Sequence, residues 1–455
     1  MTQVSIGQAL TSPAAIVVIV ALAIGLLYVL GRELRNIPPR LFVLMATAFM
    51  DMVGLLMVVP LLPFYVKNLG GEGVTFLGMH LGIGILSGII TSAFTMAQLL
   101  SSPMWGRFSD KYGRRPALLI ALGAAGIAYL VFGFAESLLV LFLSRIIQGA
   151  GGGTVGVIQA YVADTTEPEQ RARSLGWLSA ATNLGVAFGP VVGAFAVVLG
   201  EKDLAPGGFE LRMGHAAPGI VAAALCGVTI LFAWKYLKES HEHHQHESER
   251  RRPREALARV FTHGSEPASR LIWIYAIAIG AFQGTFPILP LFLNEEFQVT
   301  ERTIGYFFMY IGSISVFARV LLLGKAVDRL GEARLSRVGL VLLALGLAGM
   351  PLSPNLGFLA IAVAMLPLGT AFTFPCVTAL LSRVINPADR GLYMGLQQTF
   401  GGASRIIAPL WAGFAFDALG TGVPFYTSAV IVLATISLGL GLDQYAKRPA
   451  RVASA

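Results

Sequence analysis

The sequence predicts an all-α integral membrane protein: two six-helix bundles related by an internal repeat, with one extra transmembrane helix ahead of them. Three observations carry that expectation. Of the 455 residues, 55% are hydrophobic and 13% charged, with a mean hydropathy of +0.71, whereas a soluble chain devotes about a quarter of its residues to charge. Apolar runs long enough to cross a bilayer follow one another, with short polar loops between them. Finally, the charged stretch Gly106-Arg107-Phe108-Ser109-Asp110-Lys111-Tyr112-Gly113-Arg114-Arg115-Pro116 returns half a chain later as Gly324-Lys325-Ala326-Val327-Asp328-Arg329-Leu330-Gly331-Glu332-Ala333-Arg334, keeping its G-x-x-x-D-[KR]-x-G frame.

The first apolar run, 13–31, is free of charge and long enough to span. A secretory signal is the alternative, but residues 1–13 hold no Lys or Arg and no A-x-A-like site follows, so a retained helix is expected. A basic linker, 32–40, leads into twelve core spans at about 41–66, 81–105, 117–135, 138–163, 173–199, 217–236, 271–293, 303–323, 335–352, 356–384, 391–416 and 422–444. Placing 32–40 in the cytoplasm and alternating leaves only Lys67, Lys202, Arg212 and Arg302 in outer loops. Arg145, Arg319 and Arg405 lie within spans, and the rest of the 33 Lys and Arg fall on the cytoplasmic side. Basic loops stay inside, so the N-terminus is expected outside and the C-terminus in the cytoplasm, across a plasma (bacterial inner) membrane.

The same distribution accounts for the net charge of +8 as a topology signal and gives no reason to expect nucleic acid as a partner. Five segments result: 1–40, the extra helix and its linker; 41–236, the first bundle; 237–270, a cytoplasmic linker; 271–445, the second bundle; and 446–455, a tail. The linker carries a histidine-rich run at 241–247. A metal site is the sharp reading; a solvated linker is favoured, because no surrounding structure would fix ligand geometry, and no metal is expected. Cys226 and Cys376 sit in apolar segments and read as packing residues. No nucleotide motif and no His/Asp/Glu metal cluster lies inside the spans, so an enzyme is not expected.

Gly106 and Gly113 read as sites of close approach and a tight turn in a charged surface loop. Within the spans, ionisable and amide side chains stand out, because they must face a cavity or a partner. Asp51 sits about 15 Å into the first core helix, with no basic residue on that span. It is the candidate proton-binding group, since the intramembrane arginines stay protonated. Asp164 and Asp417 are read as lying at cytoplasmic helix ends, in water. On the fourth core helix Arg145, Gln148, Gly152, Gly156 and Gln159 make one polar and small-residue stripe. Gln398, Gly402, Arg405 and Pro409 repeat the theme on the eleventh, Gln283 is a further cavity candidate on the seventh, and Arg319 is read as snorkelling. Gly185-x-x-x-Gly189-Pro190-x-x-Gly193 offers a face for tight helix packing.

The charged motif and its copy, the run Asp51-Met52-Val53-Gly54 followed by Pro60-x-x-Pro63, the Arg145-x-x-Gln148-Gly149-x-Gly151 stretch and the Gly185–Gly193 pattern together resemble the major facilitator superfamily, and within it the 12-helix drug–proton antiporters. The resemblance spans about residues 41–445. It implies two bundles that rock to give alternating access, with a substrate site between them. It implies export of amphiphilic, drug-like compounds driven by a proton gradient, with no other cofactor, by a monomer embedded in the bilayer. A uniporter or symporter of a small metabolite on the same fold is the alternative. It further implies proton coupling through Asp51 and Arg145, and a substrate cavity lined by Gln148, Gln159, Gln283, Gln398 and Arg405. A conformational lock of Gly106, Asp110, Gly113, Arg114 and Asp164 is implied too, with Gly324 and Asp328 as its second copy, and an "antiporter" packing motif of Gly185, Gly189, Pro190 and Gly193. Tetracycline exporters carry acidic residues in the third and ninth core helices, where this chain has none.

Overall fold

The computed structural model describes residues 38–76, 78–201, 214–239, 253–386 and 389–445. The expected extra helix at 13–31, most of its linker, the histidine-rich run and the C-terminal tail lie outside these residues.

The first core span is broken in two. Helix α1 (Pro39–Val58) stops just ahead of Pro60, and α2 (Leu62–Gly70) restarts with Pro63 in its first turn. Proline cannot donate to the preceding turn, so the ladder is interrupted where Pro60-x-x-Pro63 stands. The repeat does the same at Pro287-x-x-Pro290: α10 (Pro267–Gly284) and α11 (Leu289–Phe297) meet at a 45° bend. After α2 comes a feature that the all-α expectation missed. A two-stranded hairpin pairs β1 (Val74–Phe76) with β2 (Met79–Leu81). Positive φ at Gly73 and Gly78, which only glycine adopts readily, turns the chain there.

The first half continues with α3 (Ile83–Tyr112), α4 (Arg114–Gly133), α5 (Leu138–Ala150), α6 (Thr154–Thr165), α7 (Pro168–Glu201) and α8 (Ala217–Tyr236). A short linker helix, α9 (Pro253–Thr262), sets Phe261 against Trp273 and Phe400 of the second half. Arg259 on α9 holds Glu266 below the usual carboxylate range by direct hydrogen bonds. Beyond α10 and α11 the second half comprises α12 (Ile304–Phe317), α13 (Leu323–Gly349), α14 (Leu356–Val384), α15 (Arg390–Leu419) and α16 (Val423–Ala434).

Eight of the described helical stretches are long and apolar enough to cross a membrane, and the bent α10–α11 pair makes nine. The expected twelve are not all counted separately among these. The 46-residue stretch Ile304–Gly349 takes in the eighth and ninth expected spans, with a π-helical passage at Ala318–Leu322 inside the eighth and a break at Gly331, φ 75°, between the two. The polar and glycine-rich α15 makes a 30-residue helix that is not among those stretches, and Val423–Gly439 is shorter than a full span.

The halves meet along two seams, α3 on α15 and α7 on α12. Backbones come close there because the contact positions are small. An added Cβ at Gly88 would overlap the Pro409 carbonyl, one at Gly305 would lie 2.8 Å from the Pro190 carbonyl, and one at Gly312 would overlap Ala187. These contacts, with Lys67 donating to Asn294 at 3.0 Å, cluster toward the face opposite the charged motif. Near the motif, Gly106, Gly176, Gly324 and Gly395 face open space. The conformation is therefore closed at the opposite face.

Candidate transport site

Asp51 lies on α1, 8% exposed. Its Oδ2 accepts a hydrogen bond from Thr154 Oγ1 at 2.7 Å. Thr154 can reach it because the fourth core span is broken. Three glycines, Gly151 to Gly153, separate α5 from α6, and Thr154 opens the second piece. The single stripe expected from Arg145 to Gln159 does not survive that break. Arg145 and Gln148 end α5 buried, at 3% and 4% exposure, while Gly156 and Gln159 on α6 are exposed. Glycine is required at the break: a Cβ at Gly153 would overlap the Trp105 ring, and one at Gly152 would press on Gln98.

Arg145 stacks its guanidinium over the Phe132 ring, 4.7 Å from the centroid, and its Nε donates to Ser144 Oγ at 3.3 Å. Its Nη2 is buried without a partner, as is Gln148 Oε1. Asp51 is not ion-paired with Arg145 or Arg405 in this conformation. Buried polar atoms without partners cost free energy in the range of 1–3 kcal/mol each. Such a cost is tolerable where the groups find partners at another stage of a cycle. Tyr129, 1% exposed, sits beside the Gln148 amide, and its hydroxyl lies 3.4 Å from where a Cβ on Gly54 would stand. Neither Tyr129 nor Thr154 was singled out from sequence; a hydroxyl in an apolar run is too common to signal a site.

A cavity of about 220 Å³ opens between α1, α6 and α7. Met52, Gln159, Ser179, Thr182 and Asn183 are among its lining residues, and none of the lining side chains is ionisable. Gln159 thus lines a cavity, but neither Gln148 nor Asp51 is among the lining residues. In the second half Gln398 Nε2 donates to Tyr275 Oη at 3.4 Å, and Arg405 and Gln283 are half-buried. The fully buried amide is the neighbouring Gln397, whose Oε1 accepts from Thr378 at 3.3 Å and whose Nε2 has no partner. Arg319 lies in the π-helical passage with its Nε buried and unpartnered, so it does not simply snorkel to water.

The charged motif is helical where a loop was expected. Helix α3 runs through Gly106 and Asp110 to Tyr112, and the turn is Gly113 alone, at φ 103°. Gly106 makes no close approach, since a Cβ there would meet nothing within 4 Å. A Cβ at Gly113 would lie 2.5 Å from the Glu239 carboxylate, which accepts from the N–H groups of Arg114 and Arg115 at 2.9 and 3.1 Å. Arg114 gathers the motif. Its Nη1 donates to Asp110 at 2.5 Å and Ser109 at 2.7 Å, and its Nε to Asp164 at 2.8 Å. All three partners belong to the first half.

The second copy keeps the geometry but reverses the charges. Gly331 turns the chain at φ 75°, and Glu332 follows where Arg114 stands in the first half. Its partner is Arg383 at the end of α14, in the place of Asp164, with oxygen–nitrogen distances of 2.5 and 3.0 Å. Asp328, expected as the second locking acid, is exposed and not part of this pair: four residues on from it stands Glu332, an acid, where Asp110 has Arg114 to bind. Asp417 corrects a further expectation. It lies at the end of α15 beside the start of α3, on the face opposite Asp164.

The packing motif does what its glycines suggest. On α7, a Cβ at Gly185 would lie 2.6 Å from Met52 Cβ, one at Gly189 would press on Leu56, and one at Gly193 would overlap the Met57 carbonyl. Pro190, on the other side of α7, presents its carbonyl to Gly305.

A sequence model described as the Major Facilitator Superfamily matches residues 44–352 and 271–453. The chain belongs to this superfamily. Among curated relatives of this facilitator is "Multidrug resistance protein 2" of Bacillus subtilis (strain 168), 27% identical over 418 residues, covering 91% of this chain and 96% of that protein. "Tetracycline resistance protein, class C" of Escherichia coli is 27% identical over 370 residues, covering 81% and 88%. Among solved structures, a POT family transporter in complex with 5-aminolevulinic acid superposes with a TM-score of 0.70 at 13% identity, over 90% of this chain and 99% of that one. The human organic anion transporter MFSD10 (TETRAN) reaches 0.64 at 23% identity, over 88% and 99%. At those identities the structures establish the fold. The facilitator is thus a multi-pass membrane transporter of small molecules.

Proposed function

We propose that this transporter exports amphiphilic, drug-like compounds in exchange for protons, by alternating access, with Asp51 as the principal proton-binding carboxylate. One observation carries the reading: Asp51 is a carboxylate buried in a membrane-spanning helix, held by one hydroxyl and not paired with a cation. Leaving an ionised carboxylate so placed is costly, and neutralising it by a proton removes the cost. Arg145, whose Nη2 is buried without a partner, supplies a charge that Asp51 could meet at another stage. The relatives whose names record multidrug and tetracycline resistance support an export role. The uncharged cavity wall of Met52, Gln159, Ser179, Thr182 and Asn183 suits an amphiphile's apolar body and its neutral hydrogen-bonding groups. Direct competition between a cationic substrate and a proton for Asp51 is less well supported, because that cavity wall does not include Asp51. The basic-loop distribution supports a charged motif on the cytoplasmic side, and the resistance-named relatives support export across a bacterial inner membrane.

The test is transport by reconstituted protein under an imposed pH gradient. Wild-type protein should accumulate a fluorescent amphiphile against its gradient. Asp51→Asn should lose gradient-driven accumulation by a hundredfold or so while still binding the dye. Undiminished uphill transport by the asparagine variant would remove Asp51 from the mechanism.

A further inference from the structure

Asp417 is a second-half residue whose carboxylate is spent on the first half. Oδ1 accepts from the Gly84 N–H at 2.9 Å and Oδ2 from the Ile85 N–H at 2.8 Å. These are first-turn amides of α3, which have no partner within their own helix. A carboxylate there gains both charge-assisted hydrogen bonds and the favourable end of the helix dipole. The surrounding sequence is shaped to admit it. A Cβ at Gly82 would lie 2.5 Å from the Asp417 Cγ, one at Gly84 2.7 Å from its Oδ1, and one at Gly413 would overlap the Gly84 carbonyl. Three positions thus forgo side chains around one carboxyl group. Among the described residues, the other seam has no such arrangement. By the repeat, the counterpart of Asp417 on α7 is Val198, and α12 packs there through Gly305 against the Pro190 carbonyl and Ala194.

We propose that Asp417 is the latch of the face opposite the charged motif: it grips the start of α3 while that face is closed and must release it for the face to open. Opening separates α3 from α15, so both hydrogen bonds break together and the amides pass to water. The latch is one-sided, on the α3–α15 seam, while the α7–α12 seam slides on small apolar residues. The inference rests on alternating access but not on the identity of substrate or coupling ion.

The test reads access to the seam directly. Ser92 is buried on α3 in the same seam, its Oγ donating to the Ile406 carbonyl at 2.7 Å. In full-length protein in nanodiscs, Ser92→Cys is labelled with a hydrophilic maleimide, and the rate at each cysteine is followed by mass spectrometry of the digested peptides. Asp417→Asn keeps the size and loses the charge; it should raise the labelling rate roughly three- to tenfold, and Asp417→Ala by more. The native Cys226, buried within the first half, reports general loosening in the same spectrum. Unchanged Ser92→Cys labelling in both variants would overturn the latch. So would a parallel rise at Cys226, which would make Asp417 a fold-stabilising cap and no gate. Because labelling needs neither substrate nor a proton gradient, its outcome is independent of whether Asp51 couples protons.

Discussion

The chemistry of this transporter concentrates in a few side chains whose partners come from distant parts of the chain. Asp51 was legible in the sequence because a carboxylate deep in an apolar run has few structural excuses. Thr154 was not, because its role depends on the break between α5 and α6, which places its hydroxyl 2.7 Å from Asp51. Thr154→Val keeps the shape and removes the donor. Transport should fall by about tenfold, as expected for loss of a hydrogen bond to a group that ionises, with membrane abundance unchanged. Wild-type rates in that variant would show that Asp51 works without it. Gln397 and Gln398 make a similar point, since adjacency in sequence says nothing about which of two amides faces inward.

Helices and turns respond to substitution according to what their glycines touch. Gly193→Val on α7 drives a side chain into the Met57 carbonyl and should cost about 3 kcal/mol or abolish folding, as overpacking does at rigid backbone. Gly106→Ala is expected to be tolerated or slightly stabilising, by about 0.5–1 kcal/mol, since a Cβ there meets nothing and glycine is poor in a helix interior. Thermal unfolding in detergent distinguishes the two; equal melting temperatures would contradict the packing assignment. The reversed pair of the second half is tested by exchange. Glu332→Arg or Arg383→Glu alone should destabilise by about 1–3 kcal/mol, because each leaves like charges facing at a largely buried site. The double exchange, which recreates the polarity of the first half, should restore most of the loss. A double variant no better than the singles would mean that orientation, and not pairing, fixes the charges.

Between the halves the structure shows one conformation, closed at the face opposite the charged motif. Lys67 and Asn294 meet across that face at 3.0 Å. Replacing both with cysteine and joining them with a short bifunctional thiol reagent should stop transport almost completely, with recovery if the linker is cleavable. Full activity in the cross-linked protein would rule out opening at this face as a step of the cycle. The Arg114 network with Asp110 and Asp164 lies wholly within the first half, so any locking role acts by holding the α3–α4 hinge in shape for contact with the second half.

Composition and periodicity by themselves determined that the chain spans a membrane many times, that its halves repeat, and that glycine-rich α7 packs tightly. Those properties follow from local rules: apolar length, charge placement and residue size act over one helix at a time. The breaks at Pro60 and Pro287 were not read from the sequence, although proline acts there on its own helix. What needed the folded chain was every pairing across elements. Sequence offered Asp328 as the second lock because the motif matched, and space chose Glu332 with Arg383. It placed Asp417 at the wrong face, where only the packing of α15 on α3 shows its carboxylate seated on first-turn amides. Ion pairs and caps depend on angstrom-level distances between separate helices, some 50 residues apart and some 333, and no one-dimensional pattern encodes those distances.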